Sequence, residues 1–170
     1  MIAPIVHWVG LPGPRMLAFG ARPRAGEWLE EEIAGYGLLG FRHLVSLLET
    51  HEVAELGLQS EAALCLARGI GFHELPIADR GVPADRSRAH ALFTELTHRI
   101  RSAEPVYIHC RAGIGRSSLV AAGVLTHLGI GATQALSLLR KARGLAVPDT
   151  DAQRQWIEVY AARLERSGEG

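Results

Sequence analysis

The sequence predicts an α/β fold, with a single domain built on a central, mostly parallel sheet of four to five strands flanked by helices. Short apolar runs of strand length alternate along the chain with longer segments of helical period. One of these runs, "RHLVSLLE" at 42–49, reads as a continuous apolar strand, as expected of a central strand covered on both faces. The 170 residues suffice for one substantial core but not comfortably for two, and no repeat, low-complexity stretch or linker divides them.

Each element can be justified in order. "IVHWV" (5–9) and "MLAFG" (16–20) read as two strands around the Gly/Pro turn "GLPGP". "EWLEEEIAGYGLLG" follows with Trp28, Ile33 and Tyr36 at helical spacing and acids in its first turn, where the helix dipole favours them. These strands and this helix make up an N-terminal part, 1–41. The remaining core, 42–166, begins with the strand at 42–49. "HEVAELGL" and "SEAALCLARG" read as short helices, the second capped by Ser60 and closed by Gly69. "IGFHELPI" (70–77) is a strand, "ADRGVPADRS" a loop, and about 86–102 a long amphipathic helix through Ala89, Leu92, Phe93, Leu96 and Ile100. "PVYIHC" (105–110) is a strand entering a glycine-containing turn, followed by three helices beginning at "RSSLV", at 132 and at 149. The last residues, 167–170, read as a disordered tail.

Composition narrows the function. Hydrophobic residues are 48% and charged residues 21%, ordinary for a globular domain. Eighteen basic and eighteen acidic residues cancel, which argues against nucleic acid and membrane surfaces as partners, because those call for a basic excess. The two cysteines, Cys65 and Cys110, form no C-x-x-C pair and no disulfide scaffold, so a reducing, cytoplasmic setting is the expectation. The N-terminus has no basic region, Pro4, His7 and Pro12 break its apolar run, and no membrane span is expected anywhere.

The chemistry is concentrated in "VYIHCRAGIGRSSLV" at 106–120. Ligands of α/β sheets bind at the carboxyl ends of strands. A tight loop there, running into a helix, points several backbone N–H groups into one concavity, and the helix N-terminus adds positive potential. Gly113 and Gly115 permit backbone conformations closed to other residues. The expected product is a cradle for a tetrahedral oxyanion, formed by Arg111, Ala112, Gly113, Ile114, Gly115 and Arg116. At its floor the same amides and dipole stabilise a Cys110 thiolate. Arg116, on the first helical turn, can fold back and give two parallel hydrogen bonds to phosphoryl oxygens. His109 is expected to orient the loop rather than act as a base, and Ser117 to donate to the sulfur. Rival readings fail locally: no lysine stands at this turn for a nucleotide loop, and Ser118 occupies the third glycine position of G-x-G-x-x-G. The eight histidines make no zinc-like cluster.

H-C-x-x-G-x-G-R-S, with five residues between Cys110 and Arg116, resembles the phosphate loop of the cysteine-dependent protein tyrosine and dual-specificity phosphatases. Its place two-thirds along the chain resembles the dual-specificity branch, and the likeness covers about 42–160. The resemblance implies a protein tyrosine phosphatase-like fold. It further implies hydrolysis of phosphate monoesters through a cysteinyl-phosphate, with no metal or cofactor, since amides and arginine supply the charge. A general acid must protonate the leaving group. In the resembled family this is an Asp on a mobile loop about 30 residues upstream, and Asp79 lies 31 residues before Cys110. "PIADRGVP" around it resembles the acid loop of the cyclin-dependent-kinase-inhibitor-3-like atypical members. Asp85 is the alternative acid, but it reads as the N-cap of the next helix.

"VPDTDAQRQWIEVY" also resembles the family and places Gln153 where some members orient the hydrolytic water; a surface helix residue is the alternative. Arg111 faces either solvent or an acidic substrate such as a phosphoinositide. Cys65 reads as packing rather than as a redox partner of Cys110. No phosphotyrosine-recognition loop is found, and the surroundings of Tyr36 do not match one, so the expected pocket is shallow. The expected partners are a phosphorylated protein or a small phosphate ester, together with phosphate-, sulfate- or vanadate-type oxyanions. The substrates implied are phosphotyrosine and phosphoserine/threonine. A phosphoinositide or inositol-phosphate phosphatase and an inactive phosphate-binding pseudophosphatase are the alternatives.

Overall fold

The apolar runs pair into one sheet. In the computed structural model, which describes residues 3–168, the strands are β1 (His7–Trp8), β2 (Leu17–Gly20), β3 (His43–Ser46), β4 (Gly71–Glu74) and β5 (Val106–His109), in the order β1-β2-β5-β3-β4. β1 pairs with β2 antiparallel; the other three pairings are parallel. The predicted α/β class and mostly parallel sheet are therefore observed. β5 lies at the centre and, like β2 and β3, is buried at every position, which explains the uninterrupted apolar reading of these segments. The ladders are shorter than the apolar runs. Leu47, Leu48, Leu75 and Ile77 stay buried beyond the strand ends, so hydrophobicity continues after the regular pairing stops.

The helices are α1 (Leu29–Leu38), α2 (Thr50–Glu55), α3 (Glu61–Ala67), α4 (Arg86–Arg101), α5 (Arg116–His127), α6 (Ala132–Arg143) and α7 (Asp151–Ser167). Two apolar cores form. One gathers Leu29, Ile33, Tyr36, Leu58 and Cys65 with Ala18, Leu44 and Tyr107; the other gathers Phe93, Leu119, Val120, Leu139 and Ile157 with Phe19, Val45 and Ile108. Neighbouring strand residues divide between the two, as period-two alternation requires.

Local chemistry fixes the helix ends. Asp85 caps α4, its carboxylate accepting from the Arg88 N–H at 3.1 Å, so the alternative acid is occupied as a cap. Thr150 and Gln153 form a reciprocal capping box at α7, and Glu49 and Glu52 form one at α2. Gly144 ends α6 in the left-handed conformation. Ser60 precedes α3 without a side-chain cap bond. The tail expectation is corrected in part: α7 runs through Ser167 and closes on a left-handed Gly168, while 169–170 lie outside the described residues. No helix among the described residues is long and apolar enough to cross a membrane.

Because β2, β3, β4 and β5 run parallel, their carboxyl ends meet along one rim of the sheet. The segments leaving these ends are 21–25, 47–49 with α2, 75–85, and 110–115 with α5. Every candidate catalytic residue lies in the last two.

Candidate active site

The loop after β5 turns every carbonyl outward. Cys110 O faces His109 Nδ1 at 3.2 Å, and Arg111 O accepts from the Arg22 N–H at 3.3 Å. Arg143, reaching in from α6, donates from Nε to Gly113 O at 2.9 Å and from Nη2 to Ala112 O at 3.5 Å. Ser118 Oγ donates to Ile114 O and Gly115 O. In a trans peptide the N–H lies opposite its C=O, so anchoring these six carbonyls on the outside turns the next six amides toward the inside. The N–H groups of 111, 112, 114 and 115 make no backbone bond among the described residues, while Gly113 lies against Gly20 and Ala21 where the loop bridges to the continuation of β2. Backbone donors gathered at the start of a helix have the geometry that suits an anion.

Gly113 is required twice. Its φ is +71°, and a Cβ built there would lie 2.4 Å from Gly20 C and 2.5 Å from Ala21 N. That close approach is the bridge between Ala21 and Ala112 that docks the loop on the continuation of β2. Gly115 is excluded from bearing a side chain by Gln153, whose Oε1 would lie 2.8 Å from the added Cβ.

Cys110 is buried at the floor, with Sγ 3.3 Å from Ser117 Oγ; in the thiolate form the hydroxyl is the donor. Arg116 is 2% exposed. Its Nη1 donates to Glu52 Oε2 at 2.7 Å and to Ile77 O at 2.9 Å, while Nη2 donates to Glu52 Oε1 at 2.9 Å and lies 3.2 Å from Asp79 Oδ1. Burial works against the Arg116 cation, but the bonds from Glu52, with Cys110 and Asp79 nearby, outweigh it and hold the guanidinium above its ordinary pKa. Burial alone would raise the Glu52 carboxyl; the bonds from Arg116, with the Glu49 N–H, reverse this and hold it below the usual carboxylate range.

Asp79 stands over the same guanidinium, its side chain 64% exposed. Its loop is tied on both sides. Arg80, at φ +60°, pairs with Asp149 at 2.7 Å, and Gly81 O accepts from Gln153 Nε2 at 3.0 Å. Gln153 is fully buried rather than on the surface, and its Oε1 also accepts from the Asp149 and Thr150 N–H groups. The structure thus brings together Cys110, Arg116, Asp79, Ser117, His109 and the 111–115 loop, with Gln153 as the clamp between the acid loop, Gly115 and α7. Arg111 and Ala112 are exposed.

Cys65 and Tyr36 stay away from this rim. Cys65 lies in the core opposite to the one that holds Cys110. Burial, with the nearby Glu61 charge, pushes its thiol up to about 12. Tyr36 is 1% exposed and stacks on Tyr107 at a centroid distance of 4.8 Å, which is a core role. Sequence reasoning missed Glu52, Glu61, Asp149 and Arg143. Only Glu52 left a readable trace, as the third helical position of the E-T-H-E capping box.

Known proteins share this sequence pattern and fold. Residues 5–162 match the profile of the Swiss Army Knife protein, DSP-PTPase phosphatase domain. Human cyclin-dependent kinase inhibitor 3 is 37% identical over 98 residues, 56% of this chain and 46% of that protein. The chain thus spans about half the length of this relative. Protein tyrosine phosphatase PRL-1 of Leishmania major is 33% identical over 138 residues, 76% of this chain and 73% of that one. A crystal structure of kinase associated phosphatase, with serine in place of its catalytic-site cysteine, superposes with a TM-score of 0.87 at 25% identity, covering 96% of this chain and 97% of the other. With the profile spanning nearly the whole chain, the protein belongs to the DSP-PTPase phosphatase domain family.

Proposed function

We propose that the protein hydrolyses phosphate monoesters, phosphotyrosine and also phosphoserine or phosphothreonine, through a cysteinyl-phosphate intermediate. The observation that carries this reading is the orientation of the 110–115 peptides. Six anchored carbonyls leave the amides converging above a buried sulfur, beside a guanidinium held by Glu52. Such preorganised donors stabilise charge on equatorial phosphoryl oxygens without reorganising during reaction.

In this mechanism the Cys110 thiolate attacks phosphorus while Arg116 and the amides of 111–116 hold the non-bridging oxygens. Asp79, placed over the guanidinium, gives its proton to the leaving oxygen. As a carboxylate it then takes a proton from the water that attacks phosphorus and releases phosphate, restoring the thiolate. Ser117 donates to sulfur and improves it as the leaving group of that second step. Gln153 holds the acid loop against α7 through Gly81 O. With Tyr36 committed to the core, no aromatic wall from that residue deepens the cleft, which favours a shallow site that admits short phosphoserine and phosphothreonine esters as well as phosphotyrosine.

The test is p-nitrophenyl phosphate hydrolysis in EDTA, followed by phosphotyrosine, phosphoserine and phosphoinositide substrates. Wild type is expected to turn over without metal. Cys110→Ser should be inactive, and Asp79→Ala should be slowed roughly 10²–10⁴-fold, most on poor leaving groups. An inactive wild type, or a Cys110→Ser variant with wild-type rate, contradicts the mechanism. A preference for phosphoinositides over every phosphopeptide would move the substrate to the lipid class.

A further inference from the structure

The mechanism above leaves one buried acid unused. Glu61, in the first turn of α3, is 2% exposed and sits among Leu58, Cys65 and Tyr36 on the core side opposite to Cys110. Its Oε1 lies 2.7 Å from Nε2 of His109, which is fully buried. The other ring nitrogen, Nδ1, faces Cys110 O at 3.2 Å. A carbonyl oxygen can only accept, so Nδ1 must carry the hydrogen. With Nδ1 on that carbonyl and Nε2 on Glu61 Oε1, the imidazole is held at both ring nitrogens, which fixes its orientation.

Other groups facing the pair cannot replace this role. Burial is the main cause that raises the phenols of Tyr36 on α1 and Tyr107 on β5, with Glu32 and then Glu61 adding to it, so both stay neutral. The Cys65 thiol, pushed up to about 12, also stays neutral. Glu32 on α1 is engaged with Arg24 at 2.8 Å. Unpaired burial of a carboxylate is strongly unfavourable, so a Glu at this position implies that it is held for its partner.

We propose that Glu61 is a positioning residue for the cradle. It fixes the ring orientation of His109, His109 holds the Cys110 carbonyl outward, and the Arg111 N–H is thereby aimed inward. Without Glu61, nothing holds Nε2, and the His109 ring is free to rotate off that carbonyl. The 110–111 peptide then loses its anchor and can turn a carbonyl dipole toward the thiolate. The proposal rests on the reading of Cys110 as nucleophile, but the environment of the sulfur can be measured without turnover.

The experiment compares wild type, Glu61→Gln and Glu61→Leu. Alkylation of Cys110 by iodoacetamide is followed by peptide mass against pH, alongside kcat and KM for p-nitrophenyl phosphate and thermal unfolding. A glutamine amide can donate to Nε2 and so keep Nδ1–H on the carbonyl; leucine cannot. Glu61→Gln is therefore expected to stay within about threefold of wild-type kcat. Glu61→Leu should lose roughly tenfold or more in kcat, with its Cys110 alkylation profile displaced to higher pH by about one unit. If Glu61→Leu does not fold, Glu61→Gln decides alone: a wild-type profile supports the proposal and a displaced one overturns it. Wild-type kcat and alkylation in folded Glu61→Leu would also overturn it, as would equal losses in both variants, which would assign the effect to charge. Absent turnover in wild type would overturn the phosphatase reading instead, and the alkylation profiles would still test Glu61.

Discussion

Arg116 is a long cation at 2% exposure, and only its partners make that tolerable. Glu52 takes two of its bonds and Ile77 O a third, Nη2 also faces Asp79, and in the proposed mechanism the remaining edge of the guanidinium holds the oxyanion. Arg116→Lys keeps the charge but loses the planar fork. The expected result is a fall in kcat of roughly 10²-fold or more, with little gain from higher substrate concentration. Glu52→Gln tests the other half of the pair. The folded Glu52 carboxyl titrates below its unfolded value of about 4.3. Its contribution is therefore complete above that value and is lost as pH falls through the folded pKa. Urea unfolding between pH 7 and pH 3 should show wild type more stable at neutrality, with the gap to Glu52→Gln narrowing on acidification. A gap that does not change with pH would contradict the assignment.

At the scale of elements, the cradle is the meeting of a strand end, a glycine loop and a helix start, docked on a second strand end. Gly113→Ala brings a Cβ to 2.4 Å from the Gly20 backbone at a φ of +71°. The loop must then withdraw from β2, and we expect a loss of phosphate protection against Cys110 alkylation together with a lower Tm. Unaltered protection would show that the close approach is not needed.

These elements also show what could be read from sequence. Strands announced themselves as apolar runs because both faces of β2, β3 and β5 are covered. The glycines, Cys110 and Arg116 were legible because they share one local turn whose geometry is a matter of spacing. Asp79 was legible only through the resemblance, since an exposed Asp in a loop has no pattern of its own. Glu61 and Arg143 were invisible for a different reason. Glu61 meets the loop across 48 residues and Arg143 across 30, and a Glu in a first helical turn or an Arg in a last one reads as ordinary dipole matching. Gln153 read as a surface residue or a water ligand because its burial depends on the acid loop folding over it.

For the whole molecule, the sheet sets the division of labour. It separates Cys65 in one core from Cys110 in the other, so the two thiols do not share an environment. Parallel pairing gathers four strand ends on one rim and places the site there, while the two cores supply the stiffness that keeps unpaired amides aimed. In the proposed mechanism the phosphoryl group passes through Cys110. Rapid acid quench of the wild-type protein with p-nitrophenyl phosphate, followed by peptide mass analysis, tests it directly. The expected result is a burst of p-nitrophenol and one phosphoryl group on the peptide that carries Cys110. Full turnover with no phosphorylated cysteine peptide, or a phosphoryl group on any other residue, would contradict it.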